Sequence, residues 1–269
     1  MRLDISPERW EHWQQQGRKI LLFAKWELRD QFRNRLLGGA WLFLQPLSYI
    51  LIFTLVFSHL MNARLQQFDS PYAYSIYLIS GMLLWNLMSG VLQRLMNIYP
   101  EKAGLIRKVP VSLVLMPLYV PLVELVVFVI TWCFFGMFLV AIGYVPTLYW
   151  LWLPIIVLLS LMFAYNLGLI LGILSVFMPD LRNFIAIILQ LAFWATPIVY
   201  VKSILPPWVV EWLLLNPFYW GISNMHQIVL QGQAPDISLL LLLFGAGVIM
   251  AIVARYLQRQ LEKDIRDLL

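Results

Sequence analysis

An all-α integral membrane protein with six transmembrane helices is the fold class this sequence predicts, and three observations carry it. Hydrophobic residues make up 61% of its 269 positions and charged residues 12%; with a mean hydropathy of +0.78, that balance lies far from a soluble domain. Six apolar segments approach or exceed the roughly 20 residues needed to cross a hydrocarbon core of about 30 Å. On a six-span reading, all but Arg64 and Lys202 of the 19 Lys and Arg fall on one side of the membrane, as the cytoplasmic excess of basic residues requires.

Residues 1–35 open with Ser6-Pro7, an N-cap followed by a proline where its missing N–H costs nothing. Apolar positions then recur at Trp10, Trp13, Ile20, Leu21, Ala24, Leu28 and Phe32, the spacing of one helical face, with Arg9, Arg18, Lys19, Lys25, Arg29 and Arg33 between them. This predicts an amphipathic N-terminal helix in the membrane interface, or one packed on another cytoplasmic protein. The first apolar run begins only near Leu36, unlike a cleavable signal peptide, so the first span is expected to be retained.

The predicted spans cover 36–61, 72–96, 111–142, 148–178, 184–201 and 238–257. The third and fourth are overlong and are expected to tilt or to extend into water, and Thr196-Pro197 is expected to bend the fifth. Residues 208–230 are apolar but broken at Asn216-Pro217 into pieces too short to span. They predict a re-entrant or interfacial hairpin between helices 5 and 6, over 203–230, tolerated where protein buries the broken backbone. Counting it as a seventh span would export the basic tail with Arg255, Arg259, Lys263 and Arg266. The whole chain, 1–269, therefore reads as one transmembrane domain with both termini cytoplasmic. Its longest polar interruption is 97–110, a basic segment between spans two and three, which faces the cytoplasm.

Several chemistries are missing. No stretch reads G-x-x-x-x-G-K-[ST], so the chain has no phosphate-cradling loop of its own, and neither G-x-S-x-G nor H-E-x-x-H occurs. His12, His59 and His226 fall at different depths, so no shared metal site is expected. Cys133 lies inside an apolar run and is expected to pack there. The net charge of +5 is explained by membrane orientation and implies no nucleic acid. Glu124, in the third span, marks a proton relay only if other ionisable groups join it; paired with Arg107 or Lys108 it is structural. The outer loops offer only Asp69, Glu211 and Asp236 for catalysis.

Several ordered stretches resemble the permease subunits of type-2 ABC exporters. They are Leu37-Gly38-Gly39-Ala40-Trp41-Leu42-Phe43-Leu44-Gln45-Pro46; Gly104-Leu105-Ile106-Arg107-Lys108-Val109-Pro110; Phe177-Met178-Pro179-Asp180-Leu181-Arg182-Asn183; Thr196-Pro197-Ile198-Val199-Tyr200; Leu205-Pro206-Pro207-Trp208; and Leu215-Asn216-Pro217-Phe218. The compact six-span form with an amphipathic N-terminal helix is most similar to the polysaccharide branch, which exports O-antigen, capsule or teichoic acid.

The resemblance implies a homodimer seated on two ATP-binding cassette subunits, which bind the ATP and Mg this chain does not. It implies a bacterial inner-membrane location and a lipid-linked glycan substrate. The 97–110 segment would be the coupling helix, with Glu101, Lys102, Gly104, Leu105, Ile106, Arg107 and Lys108 at the ATPase, Leu105 and Ile106 as anchors and Arg107 and Lys108 steering. Asp180 and Arg182 would make a minor cytoplasmic contact, or are ordinary positive-inside residues. Trp41, Gln45, Tyr49, Phe53 and Phe57, at i, i+4 along the first span, either line a path on which sugar faces stack or pack against neighbours and lipid. Trp85, Phe193, Trp194 and Tyr200 are further candidates, and the hairpin would form the outer gate. Two rivals stay open: a type-2 exporter of a small molecule or drug, and a carrier or membrane enzyme independent of any ATPase.

Overall fold

A computed structural model describes residues 71–108 and 113–268, together with 20–30 and scattered positions between 17 and 55. Most of the first predicted span lies outside the described residues. Among those described, every regular element is a helix: α1 (Ala73–Glu101), α2 (Ala103–Lys108), α3 (Tyr119–Ala141), α4 (Leu153–Phe177), α5 (Leu181–Ala195), α6 (Pro207–Leu213), α7 (Pro217–Val229) and α8 (Ile237–Leu268). α1, α3, α4 and α8 are long and apolar enough to cross a membrane, and α5 is a shorter apolar helix.

α1 is the central helix, buried along most of its length, and it packs most extensively on α4, which in turn packs on α8. Two glycines on one face of α4 allow that crossing. A Cβ on Gly168 would lie 2.8 Å from Leu95 Cδ1 and 3.3 Å from Leu92 Cα, and one on Gly172 would collide with the Leu95 carbonyl. Small residues four apart let two helix backbones approach closely without a lost hydrogen bond. Ser175 Oγ then donates across the interface to Met96 O at 2.7 Å. α3 packs on α1 through a buried face that includes Val123, Phe135 and Leu139, and leaves Val126, Val129, Met137 and Val140 exposed on the other. Cys133, expected to pack, is exposed on the same helix.

The overlong third and fourth spans are shortened by their own entrances. Residues 116–118 and 148–152 form 3-10 turns before α3 and α4 begin. Gly143, at φ 73°, closes α3: its N–H bonds to Val140 O at 3.0 Å and that of Tyr144 to Leu139 O at 2.9 Å, a left-handed glycine cap. The fifth predicted span is corrected more strongly. It does not bend at Thr196-Pro197 but ends there, with Thr196 extended at ψ 131°, and its 15 residues reach about 22 Å. At the other extreme α8 has 32 residues, about 48 Å, so it outruns a hydrocarbon core and carries its polar end, 258–268, beyond it.

The predicted hairpin consists of two short helices, α6 and α7, each with proline in its first turn. Asn216 caps α7 by accepting from Phe218 N–H at 3.0 Å, and its amide donates to Thr196 Oγ1 at 2.8 Å. α7 is buried against α1, α8 and α4. Residues 20–30 form the amphipathic helix, with Ala24 buried and Ile20, Phe23 and Leu28 packed on the bundle. Leu21, Leu22 and Trp26 point outward at 63%, 49% and 61% exposure. The segment therefore has a face for the protein and an apolar, basic-flanked face left over.

Candidate functional site

The segment between α1 and α3 folds as a turn and a short helix. Pro100 sits in the last turn of α1, and the helix ends one residue later. The carbonyl of Lys102 accepts from the N–H groups of Leu105 and Ile106, both at 2.9 Å, and so starts α2. Glu101, Gly104 and Arg107, three residues apart, are exposed, while Lys102 and Leu105 are half-buried. Ile106 is 5% exposed and belongs to the chain's own core, so it anchors α2 to the bundle and is not free to anchor a partner. The side chain of Lys108, with Val109 and Pro110, lies outside the described residues.

Among the described side chains Glu124 pairs with Arg94 and not with Arg107. Its Oε1 lies 2.5 Å from Arg94 Nε, and it fits there because Gly90 leaves room: a Cβ on Gly90 would meet Glu124 Oε2 at 2.8 Å. Arg94 also reaches Glu27 Oε1 at 3.5 Å, and Lys102 Nζ lies 3.0 Å from Glu27 Oε2. The loop that joins α4 to α5 runs through Met178, Pro179 and Asp180; Asp180 is exposed, and Arg182 Nε is buried without a hydrogen-bond partner.

Of the path candidates, Trp41, Gln45, Tyr49, Phe53 and Phe57 lie outside the described residues. The others come together. Trp85 is buried and packs edge-on to Phe193 at 5.5 Å, and Phe193 packs edge-on to Trp194 at 5.4 Å. Trp194 is 58% exposed, so the row of rings runs from the bundle interior to its surface. Phe218, which the sequence reading passed over, extends it inward at 5.1 Å from Trp85 and 5.9 Å from Phe163. Tyr200 joins through its hydroxyl, which donates to Trp194 O at 2.8 Å.

The irregular backbone after α5 is satisfied from α1. Tyr77 Oη lies 2.7 Å from Pro197 O and 2.8 Å from Tyr200 O, and Tyr74 Oη donates to Val199 O. The ring of Tyr77 stacks on His226 of α7 at 3.8 Å. Burial lowers the His226 imidazole to about 3, so it is neutral at ordinary pH. Beside this stack opens a cavity of about 1140 Å³, lined among others by Lys202, Glu211, Tyr219, Gln227 and Asp236. The hairpin thus rests on an aromatic and polar floor that its apolar run gave no hint of. Among the described residues no group of three or more His, Cys, Asp or Glu could hold a metal ion.

Residues 18–230 match the family described as ABC-2 type transporter. The chain is 22% identical over 254 residues to an O-antigen export system permease protein RfbA of Klebsiella pneumoniae, covering 93% of this chain and 94% of that one. It is 27% identical over 242 residues to the O-antigen export system permease protein RfbA of Myxococcus xanthus, covering 89% and 90%.

Proposed function

The chain belongs to the ABC-2 type transporter family, and on that premise we propose that it is the membrane subunit of an ATP-driven exporter of lipid-linked polysaccharide of the O-antigen kind. The observation that carries the reading is the similarity to O-antigen export permeases along nearly the whole chain. In this reading two copies pair in a bacterial inner membrane, six spans each with both termini inside, over two ATP-binding subunits that supply the hydrolysis. α2 is the docking segment, and its exposed Glu101, Gly104 and Arg107 meet the ATPase. The ring row Trp85–Phe193–Trp194 offers flat apolar surfaces for sugar faces, and the α6–α7 hairpin covers the outer end.

Gly104 gives a clean test. Nothing lies within 4 Å of the Cβ it lacks, so a side chain can leave α2 at this point, and the bulk of Gly104→Trp would obstruct a docked partner. It is expected to insert at wild-type levels, lose co-purification of the ATPase and abolish surface glycan. Normal export by that variant would overturn the docking role. A deletion strain that becomes drug-sensitive while its surface glycan is unchanged would favour a small-molecule exporter instead.

A further inference from the structure

Glu27 is a side chain that this reading leaves unused, yet three elements meet at it. It lies on the inner side of helix 20–30, at 24% exposure, and bridges Lys102 at 3.0 Å and Arg94 at 3.5 Å. Arg94 holds Glu124 of α3. Two carboxylates and two cations thus balance in a partly buried patch, where removing one partner leaves another charge uncompensated. Ring contacts reinforce it: Phe23 lies 6.2 Å from Tyr119, and Lys102 Nζ stands 6.0 Å over that same ring.

The position of Lys102 gives the bridge its meaning. Lys102 is the turn between α1 and α2, and its carbonyl starts α2. A carboxylate gripping its ammonium therefore fixes the joint about which α2 could swing. From below, Ile106 fixes α2 to the core.

We propose that Glu27 is a positioning residue for coupling, clamping helix 20–30 to the α1–α2 joint so that displacement of α2 moves α1, α3 and the N-terminal helix as one body. The inference rests on the reading of α2 as the ATPase-docking segment. The outward Leu21, Leu22 and Trp26, flanked by Lys25 and Arg29, would brace that body in the lipid headgroups.

The test uses the full chain in its native strain and the complex purified from it. Glu27→Gln is expected to reach the membrane, keep its ATPase and continue to turn over ATP, while surface glycan falls about tenfold. Lys102→Gln should lose export in the same direction but less, because Glu27 keeps Arg94, and the double variant no more than Glu27→Gln alone, because that change already removes the bridge. If Glu27→Gln does not accumulate, cross-linking decides. Glu27→Cys with Lys102→Cys in a Cys133→Ser background should export more when joined by a flexible bismaleimide than when left unjoined, because the link restores the tie between the two sites. Export by Glu27→Gln within twofold of wild type, multiplying losses in the double variant, or a cross-link that does not raise export would each overturn the clamp. Absence of any ATPase from the wild-type complex would overturn the docking reading and the clamp together; normal association with unimpaired Glu27→Gln export overturns the clamp alone.

Discussion

The Tyr77 hydroxyl stands between two carbonyls, Pro197 O and Tyr200 O, on a stretch that has left the helix ladder. Lipid offers such groups nothing, so the protein must satisfy them. Tyr77→Phe keeps the stack on His226 but leaves both carbonyls without that donor, and the loss of a buried partner costs about 1–3 kcal/mol. A fall of that size in unfolding free energy, with reduced export, is the expected outcome. His226 adds a pH dependence. Its folded value, about 3, lies below the ordinary 6.5, so the unfolded chain takes up the proton first as pH falls. The contribution of His226 is fully present above about pH 6.5 and is lost as pH falls toward 3, by about 2 kcal/mol at pH 5. His226→Phe keeps a ring over Tyr77 and removes the titration, so its thermal stability in nanodiscs should fall less between pH 7 and pH 5 than that of the wild type.

Between elements, the α1–α4 crossing depends on backbone contact. A Cβ on Gly172 meets the Leu95 carbonyl, which has no rotamer to move, so Gly172→Ala should destabilise by about 1–3 kcal/mol through overpacking. Gly136 of α3 has nothing within 4 Å, and Gly136→Ala should be neutral or gain up to about 1 kcal/mol from helix propensity. Equal effects in thermal unfolding would refute the difference between these faces. The long helices were legible because twenty apolar residues in lipid have few alternatives to a helix. Their ends were less so: Thr196-Pro197 reads equally as a bend or a stop, and the deciding factor is the distant pair Tyr74 and Tyr77. α2 hid its inward face for another reason, since six residues are too few for periodicity to separate Ile106 from Leu105. The partner of Glu124 was open because Arg94, Arg107 and Lys108 all fall at similar depth, and only Gly90 makes room beside Arg94.

At the scale of the whole molecule the two ends of the bundle differ in charge. The caps of α3 and α7 meet at one end: a Cβ on Gly232 would touch Thr147 Cγ2 at 2.9 Å, Tyr144 donates to Val229 O, and Asn224 accepts from Asp236 N–H at 2.7 Å. Among the described Lys and Arg, Lys202 alone lies at that end. Arg94, Lys102, Arg107 and the tail of α8 lie toward the other, and a basic end held inside is the arrangement membrane insertion favours. On the six-span reading the hairpin does not cross, so this orientation can be tested on both of its flanks. In a Cys133→Ser background, single cysteines at exposed Glu211 and Gln233 should react with a membrane-impermeant maleimide on intact spheroplasts, whereas Arg107→Cys and Arg259→Cys should react only after lysis. The wild-type Cys133 provides the control: it is exposed in the isolated chain but sits amid an apolar helix surface, so lipid should shield it from the reagent on either side. Labelling of Arg259→Cys from outside would require the hairpin to span after all, and would overturn the six-span arrangement.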